Sequence, residues 1–168
     1  MELPRGGGAL TPRFSVGAGA FQTATISGGL TGGGDRGWFN LGANFDQSDG
    51  INACYGDPLS FAGCGVVEPD LDGYRRLGGS ARAGYRFGDW AELDFNYLGG
   101  NNESDFDGTL FSGNHLRSAQ QVFGAKARLK PLDPWVLTFS AGRSLDKYSV
   151  SYSDAFIQDL PTGSRSGR

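Results

Sequence analysis

Two short acidic phrases hold the residues of this chain best suited to chemistry. Glu68, Asp70 and Asp72 alternate along EPDLDGY and are followed by Gly73; later, Glu103, Asp105 and Asp107 alternate along ESDFDG before Gly108. In an extended segment residues two apart point the same way, so Asp70 converges with Asp72 and Asp105 with Asp107. Asp46 and Asp49 join them at the end of a further extended segment. Clustered carboxylates repel one another unless they are protonated, solvated or bridged by a hard cation with oxygen ligands. An EF-hand loop ends on a bidentate Glu at its twelfth position. Counted from Glu68 that position is Gly79, and from Glu103 it is Asn114, so neither phrase is an EF-hand. Two readings stay open: a calcium site of another kind, or Asp-Gly turns whose carboxylates are solvated.

Other chemistry is poorly supplied. Gly32, Gly34 and Gly37 match the spacing of a dinucleotide-binding loop, but WFNLGANF follows them as an alternating strand, with no helix N-terminus to hold a pyrophosphate. No Ser or Cys stands in a recognisable nucleophile context, and the single His115 with two distant thiols makes no zinc ligand set. The expectation is a protein without catalytic residues and without an organic cofactor.

The elements that carry these residues alternate with period two. Apolar residues occupy one face in AELDFNYL (Ala91, Leu93, Phe95, Tyr97), SARAGYRF (Ala81, Ala83, Tyr85, Phe87) and VFGAKARLK (Phe123, Ala125, Ala127, Leu129). The same holds in WVLTFSAG (Trp135, Leu137, Phe139, Ala141), WFNLGANF (Phe39, Leu41, Ala43, Phe45) and RFSVGAGA (Phe14, Val16, Ala18, Ala20), with a weaker strand over Gln22–Thr31. This is the signature of β-strands with two unlike faces. Short links (GGGDRG, FGDW, KPLDPW) alternate with long polar ones, from about Gln47 to Tyr74 and from Asn101 to about Arg117, and another long link is expected near Asp146. Long links all on one side of an antiparallel meander, short turns on the other and aromatic strand ends are the pattern of an outer-membrane barrel. In that reading the charged faces, with Arg82, Arg86, Glu92, Asp94, Lys126 and Arg128, line water and the apolar faces meet lipid; a soluble β-sandwich or β-barrel, such as a calcium-binding module, alternates in the same way and stays open on pattern alone.

Composition agrees. Gly accounts for 29 of 168 residues and aromatics for 12%, while mean hydropathy is −0.34. That mixture suits closely approaching strands better than a helical core. A net charge of −3 and a pI near 5.0 give no basic footprint, which argues against nucleic acid as a partner. No apolar run is long enough for a transmembrane helix, and MELPRGGGAL contains no apolar h-region of a signal peptide. The expected fold is all-β, an antiparallel meander of about seven or eight strands forming part of a transmembrane barrel. An eighth strand lies in YSVSYSDAFIQDL, or the chain is a piece of a longer one; the latter is favoured because PTGSRSGR carries no terminal strand.

GINAC (Gly50–Cys54), the pair Gly63-Cys64, EPDLDGYRR (Glu68–Arg76) and ARAGYRFGD (Ala81–Asp89) resemble, in order and spacing, TonB-dependent outer-membrane receptors, and most closely those for vitamin B12 (cobalamin). RGGGALTPRFSVGAGAFQT resembles the hand-over from plug domain to first barrel strand, and PLDPWVLTFSAGRS a later periplasmic turn and strand. The resemblance implies a barrel of about 22 strands, of which residues 1–168 form a part, lacking the plug through which TonB acts and the remaining strands. It implies location in the outer membrane of a Gram-negative bacterium and contact with outer-membrane lipid. It also implies uptake of cobalamin or a similar scarce nutrient, with calcium ordering the extracellular loops. Carried over by motif, the calcium ligands are Asp49, Asp70 and Asp72, followed by Asp105 and Asp107. Tyr55, Phe61, Tyr74 and Phe106 are the aromatic candidates for ligand contact. On an oxidising cell surface Cys54 and Cys64 read as a disulfide closing a short loop, worth on the order of 3 kcal/mol. A TonB-dependent siderophore receptor and a small closed barrel with a structural or adhesive role are the alternatives.

Overall fold

A computed structural model of the chain describes residues 8–52, 70–109 and 113–152, and they form one antiparallel sheet. Its strands are β1 (Thr11–Ala18), β2 (Ala24–Gly33), β3 (Gly37–Ser48), β4 (Tyr74–Phe87), β5 (Ala91–Thr109), β6 (Gly113–Leu129) and β7 (Leu137–Ser151). Each pairs only with its neighbours in sequence, so the sheet is a seven-stranded meander with β1 and β7 as edges, not closed into a barrel among the described residues. Among the described residues no helix is long and apolar enough to cross a membrane.

The order of the links follows expectation at the short turns and departs from it on the other side. Gly88–Trp90 joins β4 to β5, and Lys130–Val136 joins β6 to β7. The stretch expected as a long loop from Asn101 to Arg117 is instead mostly strand: β5 runs on to Thr109 and β6 begins at Gly113. The same happens at Asp146, which lies inside β7. The physical reason is that the hydrogen-bond ladder continues where both faces have become polar, as at Arg117 opposite Glu103, so pairing persists after the apolar alternation that reveals a strand has ended.

Register fixes the faces. Leu41 pairs with Ala81, Ala81 with Tyr97 and Tyr97 with Phe123; one row below, Phe39, Ala83, Phe95, Ala125 and Ala141 form a continuous line. Since cross-strand partners share a face, all the apolar sets gather on one side and the charged sets on the other. A slip of one residue anywhere would mix them.

Burial runs opposite to that of a water-soluble protein. On the apolar face Phe95 is 56% exposed and Phe139 59%, whereas on the polar face Arg82 is 8% and Asp94 7% exposed. Among the described residues the only buried hydrophobic side chain is Ala91. The described residues form no dry interior into which Leu93, Phe95, Leu137 and Phe139 are gathered.

The polar face is packed by its own side chains. The Nε of Arg82 donates to both carboxylate oxygens of Asp94 at 3.0 Å, a diagonal pair between β4 and β5. One row nearer the short turns, Arg86 meets Glu92 at 3.4 Å in a more exposed contact. Glycines make room for neighbours that lie flat across the sheet. A Cβ at Gly84 would collide with the ring of Trp38 opposite it, and one at Gly124 with the carboxamide of Asn96.

The apolar band is also cut obliquely. Moving toward the long-link side, the first polar residue on that face is Gln47 on β3, Arg75 on β4, Asn101 on β5, Gln121 on β6 and Arg143 on β7. Gln47 is level with Arg75, but Asn101 lies opposite Leu77, Gln121 opposite Gly99 and Arg143 opposite Phe123. The boundary therefore steps down by one same-face position with each strand from β4 to β7. On β1 and β2 the row of Gln47 is still apolar, at Ala18 and Ala24. Ala119 and Leu145 are the small returns of apolar character beyond the boundary.

The buried ion pair sets an expected outcome. Replacing Asp94 with Asn, or Arg82 with Gln, leaves the other charge buried without its partner and costs about 3 kcal/mol. The double variant costs less than either single change. Arg86→Gln, at an exposed pair, costs under about 1 kcal/mol. Denaturant titration of the folded protein by intrinsic fluorescence measures all four.

Candidate functional site

At the long-link end the chain ties four segments together. The β1–β2 turn holds Phe21 and Gln22 with φ of 56° and 53°, a left-handed conformation that non-glycine residues rarely adopt. It is held there by β3: the carbonyl of Phe21 accepts from the backbone N–H of Asp49 at 3.0 Å and from the Ser48 hydroxyl at 3.1 Å. Ser48, itself buried, also accepts from the Thr23 hydroxyl at 3.0 Å and from the Gly50 N–H at 3.2 Å. Beyond it the backbone at Gly50 (φ 73°) passes so close to Asp72 that a Cβ there would strike the Asp72 carbonyl. Asp72 in turn donates its N–H to Ile51, and Gly73 accepts from the N–H of Asp105 at 2.9 Å.

This lacing brings the two acidic phrases together. Asp70 and Asp72, before β4, meet Asp107 on β5, and the three carboxylates offer oxygens lying within 4.8 Å of one another. One oxygen of Asp70 and one of Asp107 are screened from solvent. Carboxylates this close and partly desolvated favour a compensating positive charge. A hard cation that takes oxygen ligands from a flexible chain, as calcium does, fits this donor set: three carboxylates supply between three and six oxygens of the six to eight it requires.

The other two expected ligands stand apart from the trio. Asp105 pairs across the ladder with His115, whose Nδ1 lies 2.6 Å from its carboxylate. Arg117 donates from Nε to the His115 Nε2 at 3.2 Å, which makes that nitrogen the acceptor and puts the ring proton on Nδ1, facing Asp105. Arg117 also pairs with Glu103 at 3.2 Å. Asp105 is thus engaged by an imidazole, and the register shift between Asp105 and Thr109 turns Asp107 toward Asp70 and Asp72. Of the expected pair, Asp107 groups with Asp70 and Asp72 while Asp105 faces His115, and a register shift lies between Asp105 and Thr109. Asp49 lines a polar recess of about 470 Å³ with Gln47, Tyr74, Glu103, Asp105 and His115.

Of the aromatic candidates, Tyr74 opens β4 with the Arg76 guanidinium 4.5 Å from its ring centre, and Phe106 sits on β5 between the two acids. Both are half-buried, where exposed rings were expected. Tyr55, Phe61, Cys54 and Cys64 fall outside the described residues, and with them the expected disulfide. Sequence reasoning missed Ser48, the Phe21 carbonyl and the His115–Arg117 pair. No motif marks them, because each acts through a contact between segments far apart in the chain.

Expected outcomes follow from which acids converge. Asp72→Asn and Asp107→Asn each weaken calcium binding about tenfold or more, by removing one of three anionic ligands. Asp105→Asn changes it by less than about threefold, because that carboxylate faces His115. Isothermal titration with calcium chloride compares the three.

Comparison with protein-family models, with curated proteins and with solved structures returned no match for this chain.

Proposed function

We propose that this chain is a wall segment of a transmembrane β-barrel in a TonB-dependent outer-membrane transporter, with cobalamin or a similarly scarce nutrient as its cargo. The observation that carries the membrane reading is the inverted burial, with exposed Phe95 and Phe139 on one face and buried Arg82 and Asp94 on the other. Acyl chains supply the cover that the apolar side chains lack within the protein, and water supplies it for the polar face.

The oblique boundary supports the same reading quantitatively. Strands of an outer-membrane barrel tilt by about 40°, and neighbours lie about 4.8 Å apart, so a membrane plane crosses successive strands with an offset of about 4 Å, or roughly 1.2 residues. The row of Gln47 reaches β7 at Ser149, six positions past Arg143, across four strand-to-strand steps. That slip averages 1.5 positions per step at the long-link edge, in the direction of such a tilt, while the short-turn edge is level at Phe87, Ala91, Leu129 and Leu137. On β4 the band runs from Leu77 to Phe87, about 33 Å along the strand and about 25 Å across a bilayer at that tilt, matching the apolar height of such barrels. Tyr85, Phe87, Trp90 and Trp135 gather at its short-turn end, as interfacial aromatics do.

The cargo and the energy source come from the resemblance of GINAC, EPDLDGYRR and ARAGYRFGD to cobalamin receptors. The rim supports it to the extent that Asp70, Asp72 and Asp107 provide a donor set for calcium. When bound, the ion would neutralise three carboxylates and tie the entry of β4 to the far end of β5. Tyr55, Phe61, Tyr74 and Phe106 are the ring faces proposed for the cargo. The direct test is binding of cyanocobalamin by the full-length protein in detergent, with calcium and with EDTA. Calcium-dependent binding is the expected result; binding indifferent to EDTA overturns the role of calcium, and no binding in either condition overturns the cargo.

The membrane reading has its own expected outcome. Phe95→Arg, in the middle of the band, lowers stability in a bilayer by about 2–4 kcal/mol. Ser140→Glu, exposed on the polar face opposite Lys126, changes it by under about 1 kcal/mol. Urea-driven unfolding from lipid vesicles measures both.

A further inference from the structure

We propose that the short-turn end of the polar face holds a binding site for a phosphate-bearing small molecule, built by Arg86, Arg128 and Lys130. Its placement inside a water-filled barrel rests on the membrane reading above. On the short-turn side of the row Ser80, Leu98 and Val122, the polar face of β4–β6 carries Arg82, Arg86, Lys126 and Arg128, with Lys130 just beyond β6. Only two carboxylates, Glu92 and Asp94, share that stretch of the three strands. The chain as a whole has a net charge of −3, so this excess of cations is local. Arg86, Arg128 and Lys130 line a recess of about 270 Å³, bounded by the β4–β5 turn with Asp89 and Trp90. The backbone N–H of Lys130 donates to the carbonyl of Trp90 at 2.7 Å, which fixes the end of β6 against that turn.

Depth decides which charge a solute meets. The carboxylates are sunk against the sheet, with the side chain of Glu92 14% exposed and that of Asp94 10%. Both are engaged, Asp94 by Arg82 through two oxygens and Glu92 by Arg86. The cations stand above them: the Arg86 side chain is 49% exposed, and Arg128 and Lys130 are exposed too. Among the described residues neither Arg128 nor Lys130 enters an ion pair. β6 is an inner strand with both neighbours described, and the residue opposite Arg128 on β7 is Thr138. Arg128 offers a planar fork of donors that matches two oxygens of one phosphate, and Lys130 adds a compact positive charge. The recess leaves room for a small substituent on that phosphate, against Trp90. Short turns of an outer-membrane barrel face the periplasm. The site thus lies where a solute leaves the barrel, opposite in sign and position to the acidic trio at the long-link end.

The test is a phosphorus NMR titration of the full-length protein in nonionic detergent, with inorganic phosphate as the probe. Exchange broadening of the phosphate signal is expected, with a dissociation constant of about 1 mM or below. Arg128→Gln and Lys130→Gln each weaken binding by about fivefold, since each removes a charge-assisted contact. Arg143→Gln, which removes a cation from the apolar face of the same sheet, leaves binding unchanged. No broadening with the unaltered protein, or undiminished binding in the Arg128 and Lys130 variants, overturns the site and leaves the membrane reading intact. Equal losses in all three variants overturn it as well, because the effect is then one of net charge alone. A chain that stays folded and monomeric in plain buffer and enters no bilayer overturns the membrane reading, and with it the placement of the site inside a barrel.

Discussion

A single β-sheet with one apolar face is an unfinished object until something covers that face. In soluble folds a second layer does so, and the apolar side chains become the core. Here the seven strands form one layer, and the described residues offer no second sheet or helix to lie on Phe14, Leu41, Phe95 and Phe139. The side chains that are shielded are the ones that elsewhere seek water: Arg82 on Asp94, Ser48 under the β1–β2 turn, Asn114 near the start of β6. The proposed bilayer resolves this, since hydrocarbon is the one solvent in which outward Phe and Leu are at rest. It imposes a condition in return. The unpaired backbone groups of β1 and β7 cost several kcal/mol each in lipid, so the account requires further strands at both edges.

The other features take their places from that constraint. The long-link edge of the apolar band steps down by one same-face position per strand across β4–β7, in the sense that strand tilt in the proposed bilayer would give, while its short-turn edge stays level at Phe87, Ala91, Leu129 and Leu137. Above the band both faces are polar, and there β5 and β6 continue as a ladder, held by pairs such as Glu103–Arg117 and Asp105–His115. This extension carries Asp107 to the level of Asp70 and Asp72, so the acidic trio is a by-product of long strands meeting a well-tied loop entry. The proposed cation and cargo sites lie at this end.

Much of the fold is legible in the sequence because period-two alternation is a local signal. AELDFNYL and VFGAKARLK announce both their strands and their faces, and FGDW and KPLDPW announce their turns. The signal disappears where it depends on contrast: in ESDFDG and GNHLRS neither face is apolar, so the upper halves of β5 and β6 read as loop although they are strand. The two phrases that could hold a cation were visible, but which acids converge was not. Asp105 was separated from Asp107 by a register irregularity, and Asp105 was claimed by a histidine on the next strand. The oblique band was hidden for a different reason. Each strand shows its own apolar limits, and only cross-strand register reveals that those limits form a slope.

The most direct measurement of the central claim is site-directed spin labelling along β5, one label at a time from position 91 to position 98, with the protein in lipid bilayers. Collision rates with dissolved oxygen, which concentrates in hydrocarbon, and with a water-soluble nickel chelate report the surroundings of each label. The account predicts alternation from 92 to 98: labels at 93, 95 and 97 favour oxygen, those at 92, 94, 96 and 98 favour the chelate or are shielded by their neighbours, and the label at 91, where Ala91 is 6% exposed, is shielded. Labels at 93, 95 and 97 closed to both reagents would mean a dry protein interior on that face, and would contradict the account.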